Sequence, residues 1–276
     1  MIRCSLYCLL LAVPLTAQAV TPLSQSEQAV INFGFATQLG SGVYTMSGRT
    51  LQVYTLPFEV NLPSAEGARI RPRLTLPVTI GFVDFEPRDV VESGLPESLD
   101  SLGFVPGIAL DIQLRDDWSI EPFAEAGIAR DRTSEVDQRI YALGIRSRLD
   151  IGRGYTDWQL HDEIVRVVVD QESLDRTDDF TRLTVGATAR RAFDTSGSGR
   201  RADFLGYGLM EVFTDSPAGP ADARPDTGGQ TQIEGGVTFG TTEKLKIWGI
   251  PLPRVGFGYR FGDGLSVYRL VLGSPY

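Results

Sequence analysis

From Gly42 onward the chain alternates apolar and polar residues with period two, in runs separated by Gly, Pro, Asp and Ser. The clearest run covers 70–83, with Ile70, Pro72, Leu74, Leu76, Val78, Ile80 and Phe82 on one parity and Arg71, Arg73, Thr75, Pro77, Thr79 and Gly81 on the other. Successive strand side chains point to opposite faces, so each such run has one greasy face and one polar face. The final stretch repeats the pattern: Val255, Phe257, Tyr259 and Phe261 share a parity, and after Gly262-Asp263-Gly264 so do Tyr268, Leu270, Leu272 and Tyr276. The periodicity predicts strands over 42–47, 50–60, 70–83, 104–115, 118–130, 138–149, 155–169, 180–192, 203–213, 230–240, 254–261 and 265–275, about twelve in all. Several exceed the roughly 5 to 6 residues usual in soluble domains and match the roughly 9 to 11 of a strand crossing a bilayer.

The connections add a second signal. Two long segments, 84–103 and 214–229, would fall at the same end of an up-and-down barrel, while tight turns such as Arg115-Asp116-Asp117 fall at the other. Bacterial outer-membrane barrels have this asymmetry, with short turns inside and long loops outside. The expected fold is therefore all-β, a transmembrane antiparallel barrel of about twelve strands. A soluble sandwich buried on one face would give the same alternation. Three places strain the scheme: Pro77 would delete a ladder hydrogen bond in mid-strand, the loop at 241–253 is long for an inner turn, and the apolar parity along 155–169 switches between Leu160 and Val165. The switch predicts a bulge near His161-Asp162-Glu163.

Ahead of the strands, residues 1–19 read as a secretory signal peptide: Arg3, an apolar core from Leu6 to Leu15, then Ala17-Gln18-Ala19. Residues 20–41 form an N-terminal segment in which Ser24 and Glu27 have capping-box spacing, so a short helix is expected over 24–40, placed to enter the lumen. The barrel proper is 42–276. Cleavage would remove Cys4 and Cys8 and leave no thiol for a disulfide, a thiolate nucleophile or a metal site. It would also take the formal charge from -9 to -10, a poor balance for binding nucleic acid.

If the apolar parity faces lipid, the opposite parity carries the lumen-facing candidates Arg71, Arg73, Asp111, Glu121, Glu125, Arg146, Arg148 and Arg260, with Arg182, Arg190, Glu234, Arg254 and Arg269 beside them. Interleaved signs suit a narrow or plugged interior, since open porins use about 16 to 18 strands. The chain has a single histidine, His161, flanked by Asp157, Asp162 and Glu163, and it is the weak candidate for a hydrolase or acyltransferase site. No nucleophile elbow, phosphate loop or paired-histidine motif accompanies it. The expectation is no catalysis, no cofactor and no metal site. A passive pore for small solutes and a lipid-modifying enzyme using His161 are the alternatives.

The segment Gln38-Leu39-Gly40-Ser41-Gly42-Val43-Tyr44, the run from Gly48 through Tyr54 to Pro57-Phe58, and the ending Gly258-Tyr259-Arg260-Phe261-Gly262-Asp263-Gly264 through Leu272-Gly273-Ser274-Pro275-Tyr276 resemble the solitary outer membrane autotransporter-like β-barrel family. The resemblance implies a translocator-like barrel of about twelve strands with an N-terminal helix in the pore and no passenger domain. It brings no established reaction. It also implies an assembly signal in the closing strand, here Tyr268, Leu270, Leu272 and Tyr276. The partners expected are the barrel-assembly machinery, outer-membrane lipids and lipopolysaccharide, with the protein a monomer in the outer membrane.

Overall fold

The computed structural model describes residues 40–46, 49–83, 101–131, 136–152, 154–171, 176–194, 201–214, 230–241, 246–247, 250–251, 254–262, 265–273 and 275. In chain order the strands are β1 (Gly42–Met46), β2 (Arg49–Leu56), β3 (Glu59–Asn61), β4 (Ile70–Thr75), β5 (Val78–Val83), β6 (Ser101–Phe104), β7 (Gly107–Arg115), β8 (Trp118–Asp131) and β9 (Val136–Gly152). They continue with β10 (Asp157–Gln171), β11 (Arg176–Asp194), β12 (Arg201–Thr214), β13 (Gln230–Thr241), β14 (Lys246–Ile247), β15 (Ile250–Pro251), β16 (Val255–Gly262) and β17 (Leu265–Leu272). Among the described residues there is no helix. Apart from Gly40, the helix expected over 24–40 lies outside the described residues, as do the signal peptide and Tyr276.

All pairings are antiparallel, and each run meets its sequence neighbours. Three runs are interrupted: β2 and β3 at Pro57-Phe58, β4 and β5 at Leu76-Pro77, β6 and β7 at Val105-Pro106. Each gap holds a proline, which lacks the N–H a ladder needs. Parity survives every gap, and Leu76 N donates to Phe58 O at 2.8 Å across the first pair of breaks. Pro77 is thus accommodated by a crease crossing three neighbouring strands. Counted through the creases, twelve runs among the described residues form the wall, and the β8–β9 and β1–β17 pairings curl the sheet into a nearly closed barrel. The long connection at 242–253 contains the small β14–β15 hairpin, Lys246 opposite Pro251.

The bulge expected near His161-Asp162-Glu163 is not there. Pairing of β10 with β11 is unbroken from Asp157 to Gln171, and the one register shift against β9 falls between Trp158 and Gln159. The parity switch instead reflects a change of surroundings along one regular strand. Trp158, Leu160 and Ile164 face outward, whereas Val165, Val167 and Val169 face inward and are buried.

The barrel inverts the usual arrangement of a soluble protein. In β16, inward Arg260 is 1% exposed while outward Phe257 is 67% exposed. On β9 the outward residues Tyr141, Leu143, Ile145 and Ile151 are exposed hydrophobics. At about 3.3 Å per residue and a tilt near 40°, a band from Tyr141 to Ile151 stands roughly 25 Å tall. At the long-loop end the band gives way to charge, with Arg130 pairing Asp137 at 3.3 Å and Arg166 pairing Asp179. At the short-turn end it finishes in exposed Trp118, Tyr155, Trp158, Phe193 and Phe239.

Closure of the wall is least regular at its first strand. Only Val43, Tyr44 and Thr45 of β1 pair with β17, against Tyr268, Val267 and Ser266. On the other flank, towards β2, Ser41 extends the β1–β2 ladder with its side chain: Thr55 N donates to Ser41 Oγ at 2.8 Å, and that hydroxyl donates to Thr55 O at 3.3 Å. Gly40 adopts φ of 80°, a left-handed conformation natural to glycine, and an added Cβ would meet the Arg269 guanidinium.

Candidate functional site

The interior of the barrel carries a continuous belt of alternating charge. Glu59 on β3 accepts from Arg73 on β4 at 3.3 Å, and Arg73 also reaches past β7 to pair with Glu121 on β8. Ala109, the β7 residue opposite Arg73, is small enough to leave that crossing open. Glu121 accepts from Arg146 Nη1 at 2.9 Å, and Arg146 Nε donates to Glu163 at 2.6 Å. Glu163 accepts a second bond, from Arg182, at 2.6 Å. Arg182 lies 3.9 Å from Glu211, which pairs with Arg260 at 2.5 Å. Arg260 Nε donates to Glu234 at 2.7 Å, Arg269 donates to the same carboxylate at 2.5 Å, and Arg269 Nε ends the belt on Ser41 O at 3.2 Å. The belt runs from exposed Glu59 to fully buried Glu234 and Arg260, and its buried charges are tolerable because each has opposite charge on its neighbours. The two-residue strand period creates the belt, since one inward position per strand at similar height suffices.

Tyr207 belongs to the same network. Its hydroxyl donates to Glu234 at 2.7 Å. The ring lies where β13 and β16 present Gly236 opposite Gly258, and a Cβ on either would collide with it. Two adjacent glycines therefore form the slot that a tyrosine from β12 fills. Nearer the short-turn end, Asp203, fully buried, takes Arg190 Nη2 at 2.6 Å and is paired also with Arg254.

Towards the long-loop end the filling changes to hydrocarbon. Val165, Val167 and Val169 of β10 pack in one buried cluster with Ile140, Phe180, Phe213, Ala129 and Val267, contributed by strands around the barrel. The Phe180 and Phe213 rings lie 6.0 Å apart. Arg146 joins the two layers: its guanidinium sits 3.8 Å over the Phe123 ring, a cation–π contact at the boundary.

All of the lumen-facing candidates occupy the inward parity. Arg73, Glu121, Arg146 and Arg260 join the belt; Arg71 pairs with Asp111 at 3.3 Å. Glu125 stands one turn of the pleat beyond Phe123, against Gly107, and Arg148 lies opposite His161 in register. The sequence reading passed over Glu59, Asp203, Tyr207 and Glu211. Asp203, Tyr207 and Glu211 share one parity with Leu205 and Leu209, and those apolar neighbours masked them.

His161 is half-buried on the inward face, with Nε2 3.4 Å from Thr188 Oγ1. Strand alternation sends its neighbour Asp162 to the outer face, and Glu163, inward, is engaged by Arg146 and Arg182. The acidic set expected around the histidine is therefore dispersed. Among the described residues no group of three His, Cys, Asp or Glu side chains is placed to hold a metal ion. Tyr268, Leu270 and Leu272 all lie on the outward face. No protein-family model matches this chain, and neither a curated protein nor a solved structure was found to match it.

Proposed function

We propose that this chain is an outer-membrane β-barrel of autotransporter-like form, exported by a cleaved signal peptide, with a narrow or closed lumen and a non-catalytic role in the envelope or in transport. One observation carries the reading: the exposed face of the barrel is the apolar one, and the charges are inside. Water would not favour that distribution, whereas a bilayer requires it. The roughly 25 Å height of the apolar band supports it, as do the aromatic residues at one edge and the charged pairs at the other. The belt and the apolar layer above it support a closed lumen, because together they fill the bore with paired charge and packed hydrocarbon. The outward row Tyr268, Leu270 and Leu272, with Tyr276, would be read by the assembly machinery, and lipids with lipopolysaccharide would cover the band.

The test is fractionation followed by electrophoresis with and without boiling, then recording in planar bilayers. The folded chain should sit in the outer-membrane fraction, migrate differently after boiling, and show no steady conductance. Recovery from the periplasm in detergent-free buffer would overturn the membrane reading. A stable open channel would overturn the closed lumen alone. Deleting 24–40 should raise conductance if that segment contributes to the seal.

A further inference from the structure

The outward apolar band has a polar interruption between β9 and β10. Asp162 is exposed there, flanked along β10 by Leu160 and Ile164 and opposite Ser147 and Val185 in register. It stands midway between Trp158 at one edge of the band and Arg166 at the other, about 10 Å from each at ordinary strand rise and tilt. Among the described residues its carboxylate has no hydrogen-bond or ion-pair partner. Ser147 Oγ accepts from Trp118 Nε1 at 3.1 Å, which leaves the hydroxyl proton to donate. Lipid tails offer an acid at this depth nothing, and an ionisable side chain inside a membrane is a functional feature by default.

We propose that this face docks against a second copy of the chain, the Asp162 carboxylate of each accepting from the Ser147 hydroxyl of the other. The proposal rests on the outer-membrane reading, and it replaces the monomer expected from sequence. All copies enter the membrane in one direction, so a two-fold axis along the membrane normal keeps every residue at its own depth. Asp162 and Ser147 are cross-strand partners and lie at nearly the same depth. A two-fold interface is self-complementary: if one residue meets another, the reverse contact forms as well. An acceptor beside a donor at equal depth is what such an axis satisfies twice over. Around this pair Leu160, Ile164, Ile145 and Leu183 present exposed aliphatic surface for close packing. The outward pairs Arg130–Asp137 and Arg166–Asp179 are engaged and exposed Arg191 lies beside Phe193 at the short-turn edge, so what singles out Asp162 is its place at mid-band.

The experiment counts copies by stepwise photobleaching of labelled, full-length folded protein in dilute liposomes of outer-membrane lipid, with heat-modifiable mobility recorded for every variant. The native chain should bleach mainly in two steps. Asp162→Val and Ser147→Ala should lower the two-step fraction at least fivefold, and Asp162→Asn, whose amide oxygen still accepts, should keep most of it. A second measurement needs no change at the polar pair. In a Cys4→Ser, Cys8→Ser background, Leu160→Cys and Leu149→Cys chains, register partners within one copy, should cross-link to each other when coexpressed. Native protein that is inserted, heat-modifiable and single would overturn the proposal and leave the membrane reading intact. So would dimers indifferent to Asp162→Val, or pairing with a different protein. A chain that needs no membrane would remove both.

Discussion

Two layers of the barrel interior occupy the same bore at different heights, one built of charge and the other of hydrocarbon. In the belt, Glu234 accepts from Arg260, Arg269 and Tyr207 together. In the apolar layer Val167 and Phe180 pack in one buried hydrocarbon cluster, Phe180 with its ring 6.0 Å from that of Phe213. The belt's stability is cooperative in the sense that a deleted member strands its neighbours, while the apolar layer loses about what each deleted group contributed. Inside a structure whose outer face is already greasy, hydrocarbon gives a dry seal and charge gives a specific register between strands.

Four substitutions test that contrast, and urea unfolding of the folded protein in lipid is the common measurement. Glu234→Ala removes one carboxylate and leaves Arg260 and Arg269 buried beside each other; the expected loss is about 3–5 kcal/mol. A loss under about 1 kcal/mol would mean that the belt is hydrated and contributes little. Val167→Ala in the apolar layer should cost about 2 kcal/mol, with no dependence on salt. At the rim, Arg166→Ala breaks an exposed pair with Asp179 and should cost about 0.2–1 kcal/mol, fading as salt is raised. If the rim variant proved as damaging as the belt variant, burial would not be what distinguishes them.

The smallest effect is expected at the Arg115-Asp117 turn. The Arg115 hydrogen bond, 3.0 Å from Nε to Oδ1, holds the Asp117 carboxyl below its ordinary value. A depressed folded value means that stabilisation is present above the unfolded value and is lost as pH falls through the folded one. Asp117→Asn should therefore differ slightly from the native chain near pH 6 and coincide with it in strong acid, where both are neutral. Both side chains are exposed, so solvent screening keeps the difference small.

Much of this architecture was legible in the chain because period two is a local signal. Ile70 to Phe82 and Val255 to Phe261 announce their faces without reference to anything distant. Which face turns outward is not local, and Val165, Val167 and Val169 show why. Their parity is that of His161 and Glu163, so apolar residues here do not mark the outer face. The strand passes from a level where charge fills the bore to one where hydrocarbon does, and period alone cannot separate that from a bulge. The belt was half-visible: its arginines stood out, while Glu211 and Tyr207 were hidden among Leu205 and Leu209. The creases at Pro57 and Pro106 were missed because each is harmless in isolation and becomes a feature only where neighbouring strands yield together.

The brevity of β1 bears on how the ring comes apart. Along β10 and β11 the ladder runs unbroken over the whole of the shorter strand, whereas β17 and β1 share three register pairs before a side chain, Arg269 Nε on Ser41 O, stands in for the ladder. A zipper yields at its loosest tooth. Under pulling force or in denaturant, the first rupture should be between the chain's opening and closing strands, starting at the short-turn end and travelling towards Thr45, with the β9–β10–β11 wall still intact.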